Sequence, residues 1–295
     1  MNTVTKNLLL SPFNLLYRIA PTTELKVMFR IKQGYKLNLK NPKTYNEKLQ
    51  WIKLYDKNEW MPKCCDKYTV REYVEKVGCS EILNTLYWHG TNPKEIPYET
   101  LPNQFVIKVT HGSTFNIIVK NKSELDIEET NKKLNKWLGA KFIPCYGEWF
   151  YGKIQPQIVV EKYLEDDDCG DLYDYKVFCF NGKAKLIDVH SGRFSTHKRN
   201  IYDLDWNLLE DVYFKYEHFD GVRKPSVLNE MIEYAEKLSS EFHHARVDFF
   251  IVNNKIYFGE ITFTNGAGFD HIKPYSFDRT MGDWLELPIK RGLIK

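Results

Sequence analysis

The spacing of apolar positions changes period several times along the chain, and each change marks an element. Residues 1–100 read as mostly helical. Leu49, Trp51, Ile52, Leu54 and Tyr55 recur at helical spacing behind Thr44-Tyr45-Asn46-Glu47, where Thr44 or Asn46 offers an N-cap. A second helix is expected across Asp66–Val77, with Tyr68, Tyr73 and Val74 among its apolar positions and Gly78 as its stop. Short β-branched runs follow at Phe105–Val109 and Asn116–Val119, flanking a loop of small and polar residues from Thr110 to Thr114. Helical spacing returns over residues 123–139, with Ser123 as a cap candidate and Leu134, Trp137 and Leu138 on the apolar side. Further strands are expected at Ile158–Val160 and at Asp174–Phe180 before an Asn181-Gly182 turn, and another helix at Ser226–Phe242.

The last hairpin carries an unusual charge pattern. Arg246–Ile251 and Ile256–Thr262 read as strands joined through Asn253-Asn254. Val247, Phe249 and Ile251 share one face of the first strand, which leaves Arg246 and Asp248 on the other. Glu260 and Thr262 share a face of the second. Charges inside hydrophobic strands are costly unless they are paired. A two-residue loop sets Asp248 opposite Gly259 and turns Glu260 away. A three-residue loop, or one bulge, sets Asp248 opposite Glu260 and Arg246 opposite Thr262. That second register gathers hard oxygen ligands suited to Mg²⁺, which takes one or two carboxylates and completes its shell with substrate phosphates. The other reading of these residues is an ordinary exposed hairpin with its charges in solvent.

Composition narrows the field. The 295 residues suffice for two or three lobes. A net charge of +3, with no basic block, argues against a nucleic-acid groove. Aromatic content of 15% argues against disorder. The six cysteines have no Cx₂C pair or zinc-spaced histidine, and are expected as reduced thiols in a cytoplasmic protein. No apolar run is long enough to span a membrane. The apolar N-terminus, interrupted at Ser11-Pro12, is expected to pack on the body as a helix, with docking on a membrane or partner as the other reading.

Arg246-x-Asp248, a strand ending Glu260-x-Thr262 and a glycine-containing loop resemble the metal-binding end of the ATP-grasp superfamily. The stretches RVDFF…YFGEITFTNGAGF and DYKVFCFNGK are most similar to its TupA-like branch. Other motifs follow the superfamily's order. The Asp66-Lys67 helix implies Lys67 near the ATP phosphates with Arg71 in support. Lys108, before Gly112 and Ser113, resembles the phosphate lid, although no Gly-Lys-(Ser/Thr) P-loop is present. Glu161, Lys162 and Leu164 match the hinge that reads adenine. Asp168, Asp171 or Asp174 is the candidate ribose ligand, and Lys176 a second phosphate contact. The superfamily usually has Asn where Thr262 stands. The basic segment Ser191–Asn200 reads as an acceptor or acyl-phosphate region, or as surface.

The resemblance implies an α+β ATP-grasp fold with the nucleotide held between two lobes. Residues 1–100 would form a helical N-terminal region, 101–163 the small lobe and 164–295 the large lobe. It implies an ADP-forming carboxylate–amine ligase using ATP and Mg²⁺ through an acylphosphate. Asp248, Glu260 and Thr262 would hold metal, and Arg246 and Lys176 would stabilise developing charge. The branch further implies joining an amino acid or small amine to a uronic-acid carboxylate on a sugar nucleotide or glycan, in bacterial surface-polysaccharide synthesis. One alternative is a glycosyltransferase using Asp203-Leu204-Asp205 as its metal motif. Another is a non-catalytic nucleotide- or glycan-binding scaffold.

Overall fold

The structure is a computed structural model that describes residues 3–112, 114–165, 172–192, 197–214 and 216–288. Five helices open the chain: α1 (Thr3–Ile19), α2 (Pro21–Gln33), α3 (Tyr45–Tyr55), α4 (Trp60–Cys65) and α5 (Val70–Lys76). Helix α1 continues through Pro12 and packs Leu10, Phe13 and Tyr17 on the main core. Thr44 caps α3 in a reciprocal capping box with Glu47. The expected Asp66–Val77 helix is shorter, because the Asp66 carboxylate accepts from the amides of Tyr68 and Thr69 and holds a turn there first. Gly78 follows α5 with φ of 74°.

The smaller sheet contains β1 (Leu86–Gly90), β2 (Phe105–Val109), β3 (Asn116–Val119) and β4 (Ile158–Lys162), in the antiparallel order β1-β4-β2-β3. Strand β1 thus comes from the region read as mostly helical. Helix α6 (Ile127–Leu138) covers this sheet with Leu134. Its N-cap is Asp126, which accepts from Glu129 N at 2.8 Å. Ser123 does not cap it, since Lys122–Glu124 forms a separate 3₁₀ turn under Asn121.

The larger sheet contains β5 (Asp174–Phe180), β6 (Lys183–Ser191) and β7 (Lys198–Tyr202), then, after α7 (Leu228–Ser239), β8 (His244–Val252) and β9 (Lys255–Thr262). Its order is β7-β6-β5-β8-β9, antiparallel throughout, with α7 packed across β5, β6 and β8. Helix α8 (Tyr275–Trp284) returns to pack on α3. Among the described residues no helix is long and apolar enough to cross a membrane.

The β8–β9 hairpin resolves the register question through a bulge. Val252 pairs with Lys255, so the loop is Asn253-Asn254, both with positive φ (50° and 59°) as a type I′ turn requires. The register then shifts beside Asp248, and Gly259 is the extra residue. A Cβ at Gly259 would lie 2.9 Å from the Asp248 carbonyl oxygen, so the bulge has no room for a side chain. Asp248 consequently faces Glu260, and Arg246 faces Thr262.

Candidate active site

Cross-strand pairing lines up Asp188, Lys176, Asp248 and Glu260 on four adjacent strands of the larger sheet. The Lys176 ammonium contacts Asp174 at 2.7 Å and also Asp248. Arg246 spans both Asp248 oxygens at 2.7 Å, and reaches Glu260 at 3.3 Å and the Thr262 hydroxyl at 3.1 Å. Burial pushes the Asp248 carboxyl up, but Arg246 and Lys176 outweigh it and hold it below the usual carboxylate range. Burial likewise opposes the Arg246 charge, and Asp248 more than restores it. Lys176, Asp174 and Asp248 are only 2–3% exposed, whereas the Glu260 side chain is 44% exposed. The network therefore has a closed interior and one open carboxylate.

The smaller sheet supplies a second charged group. Glu161 faces Val106, so Lys108 is its diagonal neighbour on the same face, and their charges meet at 2.6 Å. Arg71 approaches the other Glu161 oxygen at 3.7 Å. Lys67 connects the two groups: it shares a small recess with Lys108 and Glu161 and a larger cleft with Arg246, Glu260 and Thr262. Its ammonium donates to Gly112 O at 2.8 Å. Burial lowers the Lys67 pKa, with Glu260 the leading opposing influence. The larger cleft, about 830 Å³, has Gly112 and Phe115 on the small-sheet side and Arg246, Glu260 and Thr262 on the large-sheet side.

Helix α3 fixes the loop after β9. Gly266, Ala267 and Gly268 all have positive φ (54°, 55° and 69°). The carbonyls of Ala267, Gly268 and Asp270 are held by buried side chains from one face of α3. Gln50 donates to Gly268 O at 2.7 Å, Lys53 to Ala267 O at 2.7 Å, and Asn46 to Asp270 O at 3.0 Å. Lys53 also donates to Tyr146 O at 2.7 Å, tying in the segment before β4. Asn265 links the loop to the charge network by accepting from Arg246 and donating to Asp270. In the sequence Asn46 stands out only as a possible cap, and Gln50, Lys53 and Asn265 carry no role of their own. The signal available was the Asn46/Gln50/Lys53 stripe at i, i+4 and i+7, a pattern that ordinarily faces water.

The structure thus brings Lys67, Lys108, Gly112, Glu161, Arg246, Glu260 and Thr262 around connected spaces, with Asp174, Lys176 and Asp248 directly behind. Lys162 and Leu164 lie at the end of β4 and just beyond it. The Lys162 backbone already donates to Thr85 O and accepts from Asn84. Ser113, Asp168, Asp171 and Arg193 lie outside the described residues. His197 and Arg199 turn inward, His197 to His190 at 2.9 Å and Arg199 to Asp188 at 2.7 Å. Asp203 accepts from the amides of Asp205 and Asn207 and from the Asn207 side chain, so it is spent on closing a turn. The described cysteines form no disulfide.

Glu260 and the Thr262 hydroxyl open onto the cleft and suit a hard cation such as Mg²⁺, whereas both Asp248 oxygens are taken by Arg246 and Lys176, so Asp248 can join only when Arg246 lets go of Oδ1. Asp248 and Glu260 face one another, with the Thr262 hydroxyl one ladder step away. Among the described residues no group of three or more His, Cys, Asp or Glu gathers to hold a metal, so phosphate oxygens would have to complete the shell.

Two antiparallel sheets with helices, facing across a cleft of lysines and paired carboxylates, form an α+β architecture of the ATP-grasp class. A family model described as TupA-like ATPgrasp matches residues 47–286, and the chain belongs to that family. Among solved structures it is similar to a D-alanine–D-alanine ligase from Bacillus anthracis, at 16% identity and TM-score 0.44 over 75% of this chain and 66% of that one. It is also similar to an L-amino acid ligase from Bacillus licheniformis, at 12% identity and TM-score 0.48 over 85% of this chain and 57% of that one. A third similarity is to an ADP complex of the purK N5-carboxyaminoimidazole ribonucleotide synthetase, at 18% identity and TM-score 0.43 over 76% and 51%. The chain therefore spans from 51% to 66% of the length of these structures. The family match carries the assignment. No curated protein matches the chain.

Proposed function

We propose that this protein is an ATP-dependent carboxylate–amine ligase that transfers the γ-phosphoryl group to a carboxylate, releases ADP and lets an amine displace phosphate to form an amide. The observation that carries this reading is that Arg246, Glu260 and Thr262, backed by the buried Asp248, open into a cleft that Lys67 and Gly112 also line. Phosphoryl transfer asks a protein mainly for positioning and charge neutralisation. Lys67 and Lys108 approach the phosphates, and Lys108 can exchange its partner Glu161 for a phosphate oxygen. Glu260 and Thr262 would hold Mg²⁺, joined by Asp248 through the Oδ1 that Arg246 must release, and the ion would neutralise and align the phosphates. Arg246 presents a planar fork to the acyl oxygen, while Lys176 and Asp174 keep Asp248 in place. Glu161, Lys162 and Leu164 are assigned to adenine, which requires Asn84 to release the Lys162 carbonyl. Asp174 remains a ribose candidate with Asp168 and Asp171.

The family resemblance supports a uronic-acid carboxylate on a sugar nucleotide or glycan as one substrate and an amino acid or small amine as the other. On this reading the enzyme works in the cytoplasm, in surface-polysaccharide synthesis. The test is to incubate the protein with Mg-ATP, UDP-glucuronate and a pool of amino acids and small amines, beside Glu260→Gln. ADP and an amide mass should appear only when carboxylate and amine are both present, and should vanish in the variant. UDP release without ADP would overturn the ligase reading in favour of a glycosyltransferase.

A further inference from the structure

The loop from Thr264 to Gly268 lies between two cavities, and Glu148 lines both. One is the cleft with Arg246 and Glu260. The other, about 1120 Å³, is bordered by Tyr213, Tyr216 and Lys273 among others. Glu148 accepts a hydrogen bond from the Thr264 hydroxyl. Lys53 of α3 stands against it electrostatically while holding the carbonyls of Tyr146 and Ala267. Cys65 of α4 and Tyr146 and Tyr151 of its own segment also feel its charge. Burial raises the Glu148 pKa, with Lys53 and the Thr264 hydrogen bond opposing, and burial lowers that of Lys53 to about 7. The phosphate chemistry assigned above does not use this carboxylate. Asp248 and Glu260 already supply acids to the cation, and another acid beside a polyphosphate repels it.

We propose that Glu148 receives the acceptor amine, binding it as an ammonium where the two cavities meet and removing its proton. This rests on the ligase reading above. The amine enters from the larger cavity, where an aliphatic or amino-acid ammonium meets Glu148 ahead of Arg246 and Glu260. One N–H proton passes to the Glu148 carboxylate and leaves a neutral amine. Its lone pair forms the C–N bond, the C–O bond to phosphate breaks, and the second proton departs on phosphate. Glu148 then returns its proton to water. Thr264 is a positioning residue for the carboxylate.

Hydroxylamine separates the two halves of the reaction, because it is neutral near pH 7 and attacks acylphosphates without needing a base. The full-length protein is supplied with Mg-ATP, a panel of uronic acids including UDP-glucuronate, and either hydroxylamine or the amino-acid and amine pool. Glu148→Gln is expected to form hydroxamate at close to the wild-type rate and to lose amide formation by roughly a hundredfold or more. Amide formation should recover as pH approaches the amine's own pKa, and Glu148→Asp should restore part of it. Equal losses in both reactions, or no loss in either, would overturn the assignment of Glu148 alone. Wild-type protein that makes no hydroxamate from any carboxylate would sink the ligase reading and this assignment with it. If Glu148→Gln does not fold, Thr264→Val carries the same test, with a smaller split between the two reactions.

Discussion

The two charged groups at the cleft differ in how they are held. In the larger sheet, Lys176, Asp174 and Asp248 are sealed from solvent and satisfy one another, with Arg246 locked across Asp248. In the smaller sheet, Lys108 is 28% exposed and has one close partner, Glu161. A sealed ion network is worth little as net stability but is costly to break, because its survivors are left charged and unpaired. The Lys108–Glu161 pair is open on the lysine side only, and the buried Glu161 keeps Arg71 at 3.7 Å when Lys108 leaves, so this pair is cheaper to exchange than the sealed one. The contrast suggests a division of labour. The large sheet holds its charges fixed around the site of chemistry, and the small sheet holds a lysine that can change partners when phosphate arrives.

Breaking the sealed group should have the largest effect. Asp248→Asn leaves Lys176 and Arg246 under-compensated and is expected to cost roughly 3–5 kcal/mol in urea unfolding, and to remove ADP formation. A loss below about 1 kcal/mol would show that the network is not sealed as described. Gln50→Met asks whether neutral anchors of the same site behave likewise. It strips donors from the Ala267 and Gly268 carbonyls and should cost roughly 1–3 kcal/mol in the same measurement. Lys108→Met should instead leave stability within about 1 kcal/mol of wild type. It should also raise the KM for ATP roughly tenfold or more through the lost phosphate contact. A large stability loss with unchanged KM would invert the comparison.

The smallest expected effect comes from an outer pair. His243 meets Asp56 at 2.9 Å, and this hydrogen bond raises its pKa above the ordinary 6.5. The folded state thus binds the proton more tightly than the unfolded chain. The stabilisation is complete below about pH 6.5 and is lost as pH rises through the folded value. It should amount to less than about 1 kcal/mol, and His243→Gln should flatten that part of the stability–pH curve.

The sequence exposed those parts of the site where charge contradicts its surroundings. Arg246, Asp248 and Glu260 stood out because they interrupt hydrophobic strands, whereas Lys176 was marked by the family resemblance of its strand. The register stayed open because turn residues alone do not reveal a bulge; Gly259 does so only once its clash with the Asp248 carbonyl is seen. Gln50, Lys53 and the loop-holding role of Asn46 escaped notice for the opposite reason. A polar helix stripe has the appearance of a solvated face, and only the packing of the 264–270 loop against it shows that it is buried. Glu148 lies in a segment with no apolar period to organise it. Ser123 was misread as a cap because helix capping depends on the first residue to adopt helical geometry, and Asp126 is placed immediately before it.

The most direct test of the account is oxygen transfer. Incubating the enzyme with Mg-ATP, an amine and a uronic acid labelled with ¹⁸O in both carboxylate positions should release phosphate carrying one ¹⁸O, because the acyl oxygen bonded to phosphorus leaves with it. Amide product accompanied by unlabelled phosphate would contradict activation of the carboxylate by phosphoryl transfer.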